Sequence, residues 1–144
     1  LPARARADHI PRVTYTAPEL AQIGLTESDA RARHGTALTV LRLGFDASDR
    51  AMAEGQTRGL IKLMVFKGRP VGVTIAGHGA GEMIGLWSLA VANRLKLGAI
   101  AGTVLPYPTL QELSKRAAGA YFTPKLFDNP LIKRVVRAVQ RWVP

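Results

Sequence analysis

The chain has 144 residues, a formal net charge of +10 and an apolar fraction of 47%, which fits one globular domain able to bury roughly 70% of its unfolded surface. It contains no cysteine, so disulfides, thiolate metal sites and a cysteine nucleophile within it are excluded. No apolar run reaches the ~18 residues of a membrane span, and no apolar signal-peptide stretch follows the basic first residues.

The charge sits mostly at the two ends. Residues 1–12 carry three arginines against Asp8, and residues 123–144 carry five Lys/Arg against Asp128, leaving +4 for residues 13–122. Interspersed signs at that level describe a solvated face, and no basic strand interleaved with aromatics suggests a single-strand binder. Leu1 opens the sequence without a methionine, which fits a fragment of a longer protein or a processed one.

In chain order, residues 1–9 read as a linker with little to bury. Val13–Thr16 and Gln22–Leu25 read as short strands around a turn at Pro18. Thr26 is placed to cap a helix that runs to about His34, with Gly35 as its stop. Leu38–Leu43 alternates as a half-buried strand, and residues 46–54 form a polar connection or short helix. Leu60–Phe66 and Val71–Ala76, separated by Lys67-Gly68-Arg69-Pro70, predict an antiparallel hairpin. Residues 81–95 predict a helix apolar nearly all round, which needs a second surface to cover it. Leu110, Leu113, Ala117 and Tyr121 mark the buried stripe of the next helix, with Gln111, Ser114, Lys115 and Arg116 off it. Strands first and helices afterwards make an α+β pattern.

Most candidate chemistry has a structural explanation. Gly77-His78-Gly79-Ala80-Gly81 follows a strand and opens a helix, but Glu82 stands where a dinucleotide fingerprint needs its third glycine. The loop therefore reads as a structural glycine turn, and the chain is expected to bind no nucleotide by itself. His9, His34 and His78 lack metal-ligand spacing. In Pro106-Tyr107-Pro108-Thr109-Leu110-Gln111-Glu112 the two prolines hold Tyr107 extended. Thr109 caps the next helix, with Glu112 at the capping-box position.

That heptapeptide also closely resembles the His-Pro-Thr-x-x-Glu signature of the dimerisation domain in pyridine nucleotide-disulfide oxidoreductases, the family of dihydrolipoamide dehydrogenase, glutathione reductase and mercuric reductase. Residues 10–27, with Tyr15-Thr16-Ala17-Pro18-Glu19 and Gly24-Leu25-Thr26-Glu27, resemble the family's domain entry. Gly59–Leu63 is similar to its "G-F-x-K-L" strand, and Val71–Ile84 to its "I-V-G-x-x-A-G-E-x-I" block. The four blocks keep the family's order across residues 10–122.

The resemblance implies an antiparallel sheet with helices packed on one side, a homodimer, and upstream FAD and NAD(P) domains. It implies FAD and NAD(P)H in a full-length cytoplasmic oxidoreductase, and no activity in this chain alone. The family's catalytic histidine is replaced by Tyr107, which by resemblance faces the partner subunit's flavin and cysteine pair. Glu112 matches the orienting glutamate, and Pro108 lies near the partner's FAD. A phenol of ordinary pKa ≈ 10 is a poor base beside an imidazole at ≈ 6.5, which argues against ordinary dithiol turnover. Mercuric reductases carry a tyrosine in a similar Pro-Tyr context, but their vicinal cysteine pair near the C-terminus has no counterpart here. The implied protein is mercuric-reductase-like, with an electron acceptor the sequence does not name.

Residues 123–144 extend past the match. Leu131, Ile132, Val135, Val136, Val139 and Trp142 form a helical stripe, read as packed on the domain or its partner or, alternatively, lying on an anionic membrane through residues 129–144. The alternative for the whole chain is a free-standing basic module that binds nucleic acid or an anionic membrane surface.

Overall fold

The computed structural model describes residues 9–124. The helix read at residues 129–144 and nearly all of the linker lie outside them. Five strands, β1 (Arg12–Thr14), β2 (Glu19–Gly24), β3 (Leu38–Gly44), β4 (Leu60–Phe66) and β5 (Arg69–Gly77), form one antiparallel sheet in the order β1-β2-β5-β4-β3. The helices are α1 (Glu27–His34), α2 (Asp49–Ala53), α3 (Ala80–Ala92), α4 (Leu97–Ala101) and α5 (Gln111–Ala120).

The expected β4–β5 hairpin forms, but its turn is the dipeptide Lys67-Gly68, with φ of 50° and 75°. Two consecutive positive φ values match the twist of the flanking strands. Pro70, expected in that turn, belongs to β5 and pairs with Val65 beside a register irregularity, where a missing N–H is tolerated. The first two strands also shift: β1 stops at Thr14, and β2 begins at Glu19, three residues before the expected start. A longer β2 is required to satisfy six residues of β5.

Strand alternation separates two faces. Ile61, Leu63, Val65, Val73, Ile75, Ala21 and Ile23 join Met83, Ile84, Trp87, Leu97, Ile100 and Leu113 in the main core. Each such buried aliphatic contributes roughly 1.5–3 kcal/mol. Helices α3 and α5 pack on this side of the sheet, as the resemblance implies. The opposite face carries a cross-strand row of Arg42, Lys62, Thr74 and Gln22, covered in part by the short α1. Glu27 of α1 meets Lys62 at 3.2 Å and Arg31 at 2.8 Å, and also pairs with Arg42. These three cations lower its pKa from 4.5 to about 2, through the hydrogen bonds from Arg31 and Lys62 first.

Helix α1 starts and stops as expected. The Thr26 hydroxyl accepts from the Asp29 N–H at 3.2 Å, and the Gly35 N–H donates to the Arg31 carbonyl. Helix α3 ends at Ala92, short of the expected Leu95, because Arg94 turns left-handed at φ 52°. The short α4 then follows, an element the periodicity did not separate from its neighbours. Ser114, placed off the α5 stripe, is fully buried and accepts from the Trp87 indole N–H at 3.1 Å. Among the described residues no helix is long and apolar enough to cross a membrane.

Candidate functional site

After α4 the chain runs without regular structure through Pro106 and bends at Tyr107–Pro108, whose peptide is cis. The expected extended conformation around Tyr107 is therefore replaced by a bend. Thr109 does not cap α5. Its hydroxyl donates to the Pro106 carbonyl at 2.9 Å, closing the bend, and α5 begins after Leu110 with no side-chain cap. Glu112 is consequently not half of a capping box. It sits half-buried in the first turn of α5, where a carboxylate interacts favourably with the helix dipole.

Tyr107 stands out from the surface, 68% exposed. Its hydroxyl donates to Asp49 Oδ2 at 3.1 Å. Asp49 is the first residue of α2, a helix capped by Ser48, whose hydroxyl accepts from the Ala51 N–H at 3.3 Å. Arg116 of α5 donates to the same Asp49 oxygen at 2.9 Å and to the Ala47 carbonyl. One carboxylate thus ties together three separate segments: the Tyr107 bend, α2 and α5.

This arrangement favours the protonated phenol. The hydrogen bond to Asp49 and the charge of that carboxylate raise the Tyr107 pKa above 10, the carboxylate of Glu112 adds to the effect, and the Arg116 cation opposes it. Tyr107 and Glu112 therefore lie in one electrostatic neighbourhood, but the direct partner of the phenol is Asp49. Neither Asp49 nor Arg116 was singled out by sequence reasoning. They lie 58 and 9 positions from Tyr107, and Asp49 meets Arg116 across 67 positions. The helix-start pattern Ser48-Asp49 was the one local signal available.

Pro108, Thr109, Leu110 and Gln111 line an open cleft of about 430 Å³ opposite His78, Glu82, Arg50 and Glu54. The glycine loop beside it is explained by packing. A Cβ on Gly77 would lie 2.6 Å from the Phe45 ring, and Gly79 precedes α3 at φ 68°. The start of α3 is already occupied by a carboxylate, since Glu19 Oε2 accepts from the Gly81 N–H at 2.7 Å. A phosphate at that helix end would meet a negative charge.

The comparisons with known proteins agree with this architecture. Residues 10–118 match the model of the pyridine nucleotide-disulphide oxidoreductase dimerisation domain. A dihydrolipoyl dehydrogenase of Bacillus subtilis is 37% identical over 111 residues, covering 76% of this chain and 23% of the relative. A mercuric reductase of Acidithiobacillus ferrooxidans is 36% identical over 114 residues, covering 78% of this chain and 21% of the relative. Among solved structures, LpdA of Mycobacterium tuberculosis has a TM-score of 0.76 at 24% identity, covering 83% of this chain and 26% of that one. The HOCl-induced flavoprotein disulfide reductase RclA of Escherichia coli shares the fold with a TM-score of 0.73 at 23% identity, covering 82% of this chain and 28% of that one.

The chain belongs to the pyridine nucleotide-disulphide oxidoreductase family, and residues 10–118 are its dimerisation domain. It spans about a quarter of the length of the relatives it matches. The reading as a free-standing basic module has no support beside that match.

Proposed function

We propose that this chain forms the two-fold interface of a homodimeric FAD- and NAD(P)H-dependent oxidoreductase and presents Tyr107 to the partner subunit's redox centre. Residues 10–122 act as the dimerisation domain, residues 1–9 as its linker to flavin and nicotinamide domains, and residues 123–144 as a basic C-terminal extension. The α3 start favours this division of labour, because Glu19 fills the helix end that a nucleotide phosphate would need. FAD and NAD(P)H then belong to the upstream domains, where the flavin supplies the electron transfer.

The observation that carries the reading is the exposed phenol of Tyr107 hydrogen-bonded to Asp49. An ordinary phenol already keeps its proton at neutral pH, so Tyr107 serves as a hydrogen-bond donor to the acceptor, exchanging its Asp49 bond on engagement, and not as the base that a histidine supplies at this position. Asp49 orients it, Glu112 adds negative potential, and Pro108 lies beside the partner's FAD. The pattern favours a mercuric-reductase-like enzyme over dihydrolipoamide turnover. Dimerisation is favoured by the apolar side chains left uncovered, with Leu89 of α3 58% exposed and Val104 92% exposed.

The test is Tyr107→Phe in the full-length protein. Flavin reduction by the nicotinamide should remain intact while turnover with the acceptor falls by up to about tenfold, the worth of one hydrogen bond. Equal turnover in the two proteins would return Tyr107 to a surface aromatic.

A further inference from the structure

A second concavity, of about 340 Å³, lies where the C-terminal end of α1, the β4–β5 turn and the end of α3 converge. Its rim carries Arg33 and His34 from α1, Arg69 from β5 and Arg94 from beyond α3, and no acidic residue lines it. Arg31, Arg42, Arg50 and Arg116 each meet a carboxylate. Among the described residues Arg33, Arg69 and Arg94 do not.

One of the three is anchored on the backbone of another. The Arg69 Nε donates to the Arg94 carbonyl at 3.0 Å, which ties the hairpin to the end of α3. Arg94 itself has φ 52°, with the following Leu95 N–H donating to the Ala90 carbonyl at 2.9 Å. Helices ending this way favour glycine or asparagine at the left-handed position, and a long side chain there is conformationally unfavourable. Helix termination alone does not call for arginine. What Arg94 adds is a guanidinium on the cleft rim.

The rest of the lining has a different character. Leu25, Pro70 and Val91 are apolar, and the His34 ring on the rim is steadied by stacking on Phe66, with centroids 4.0 Å apart and planes at 20°. Three guanidinium groups suit a doubly charged oxyanion, because each fork can donate in parallel to two oxygens. A phosphate monoester, close to a dianion at neutral pH, matches three cations better than a carboxylate does.

We infer that this cleft binds a small organic phosphate, its phosphate held by Arg33, Arg69 and Arg94 and its apolar part laid against Leu25, Pro70 and Val91. The assignment is independent of the Tyr107 site. It is tested by amide NMR titration of the full 144-residue chain with phenyl phosphate and, separately, with inorganic phosphate. Arg33→Gln and Arg94→Asn are the variants, the second keeping a residue that tolerates positive φ, and each is checked for an unchanged melting temperature.

Saturable shifts clustered around Arg33, Arg69 and Arg94 are expected with phenyl phosphate, with weaker binding of inorganic phosphate. Each substitution should raise the dissociation constant by about tenfold, the worth of one charge-assisted contact. Absence of saturable shifts, or unchanged affinity in both variants, overturns the site. Equal affinity for the two probes overturns the apolar half of the assignment and leaves free phosphate as the ligand.

Discussion

Tyr107 and Asp49 are joined by a 3.1 Å hydrogen bond across 58 positions of chain, and this contact ties the Pro106–Pro108 bend to the start of α2. An imidazole at that position would exchange protons near neutral pH. A phenol keeps its proton there, and in this structure that proton is directed at Asp49.

Asp49→Asn should lower the titration midpoint of Tyr107, because the Asp49 hydrogen bond and charge are the leading causes of its raised pKa. The chain has three tyrosines, so ultraviolet difference titrations of Asp49→Asn and Tyr107→Phe, compared with the parent, isolate the one that moves. An unchanged high-pH phase would show that Asp49 does not hold the phenol in solution.

Ser114→Ala should destabilise the domain by about 1–3 kcal/mol, since it leaves the buried Trp87 indole N–H without its acceptor. Both side chains are fully buried, which prevents water from replacing the hydroxyl. Urea denaturation followed by tryptophan fluorescence measures the loss. A change below about 0.5 kcal/mol, the scale of an ordinary surface substitution, would mean that the indole finds another acceptor.

Glu27→Gln should lower the melting temperature at neutral pH and lose that effect in acid. The folded-state pKa of Glu27 is depressed to about 2 from 4.5, so its contribution is fully present above about 4.5 and disappears as pH falls through about 2. Salt should shrink the difference as well, because the partners are partly exposed. A melting-temperature gap between parent and variant that stays constant from neutral pH to pH 2 would contradict the assignment.

Much of the fold was legible because strand alternation has a short, strict period. Leu41 and Leu43 face the core while Arg42 faces α1, as the alternation of Leu38–Leu43 implies. The α1 boundaries followed from Thr26 and Gly35 for equally local reasons. The errors fall where tertiary contacts decide. Ser114 reads as a surface residue until Trp87 arrives from another helix to use its hydroxyl. Thr109 and Glu112 have capping-box spacing, but the Pro106 carbonyl takes the hydroxyl first. In the candidate site, Tyr107, Pro108 and Glu112 could be picked out through their motif, whereas Asp49 and Arg116 could not. Their relation to Tyr107 exists only after β3, α2 and α5 have packed.

The central claim is that this domain joins two copies of the protein, and the most direct measurement is the solution mass of the 144-residue chain by light scattering or sedimentation across a dilution series. A homodimer predicts twice the 15.5 kDa chain mass at tens of micromolar, with a monomer emerging only on dilution, as mass action requires. A homogeneous monomer at that concentration would contradict the account.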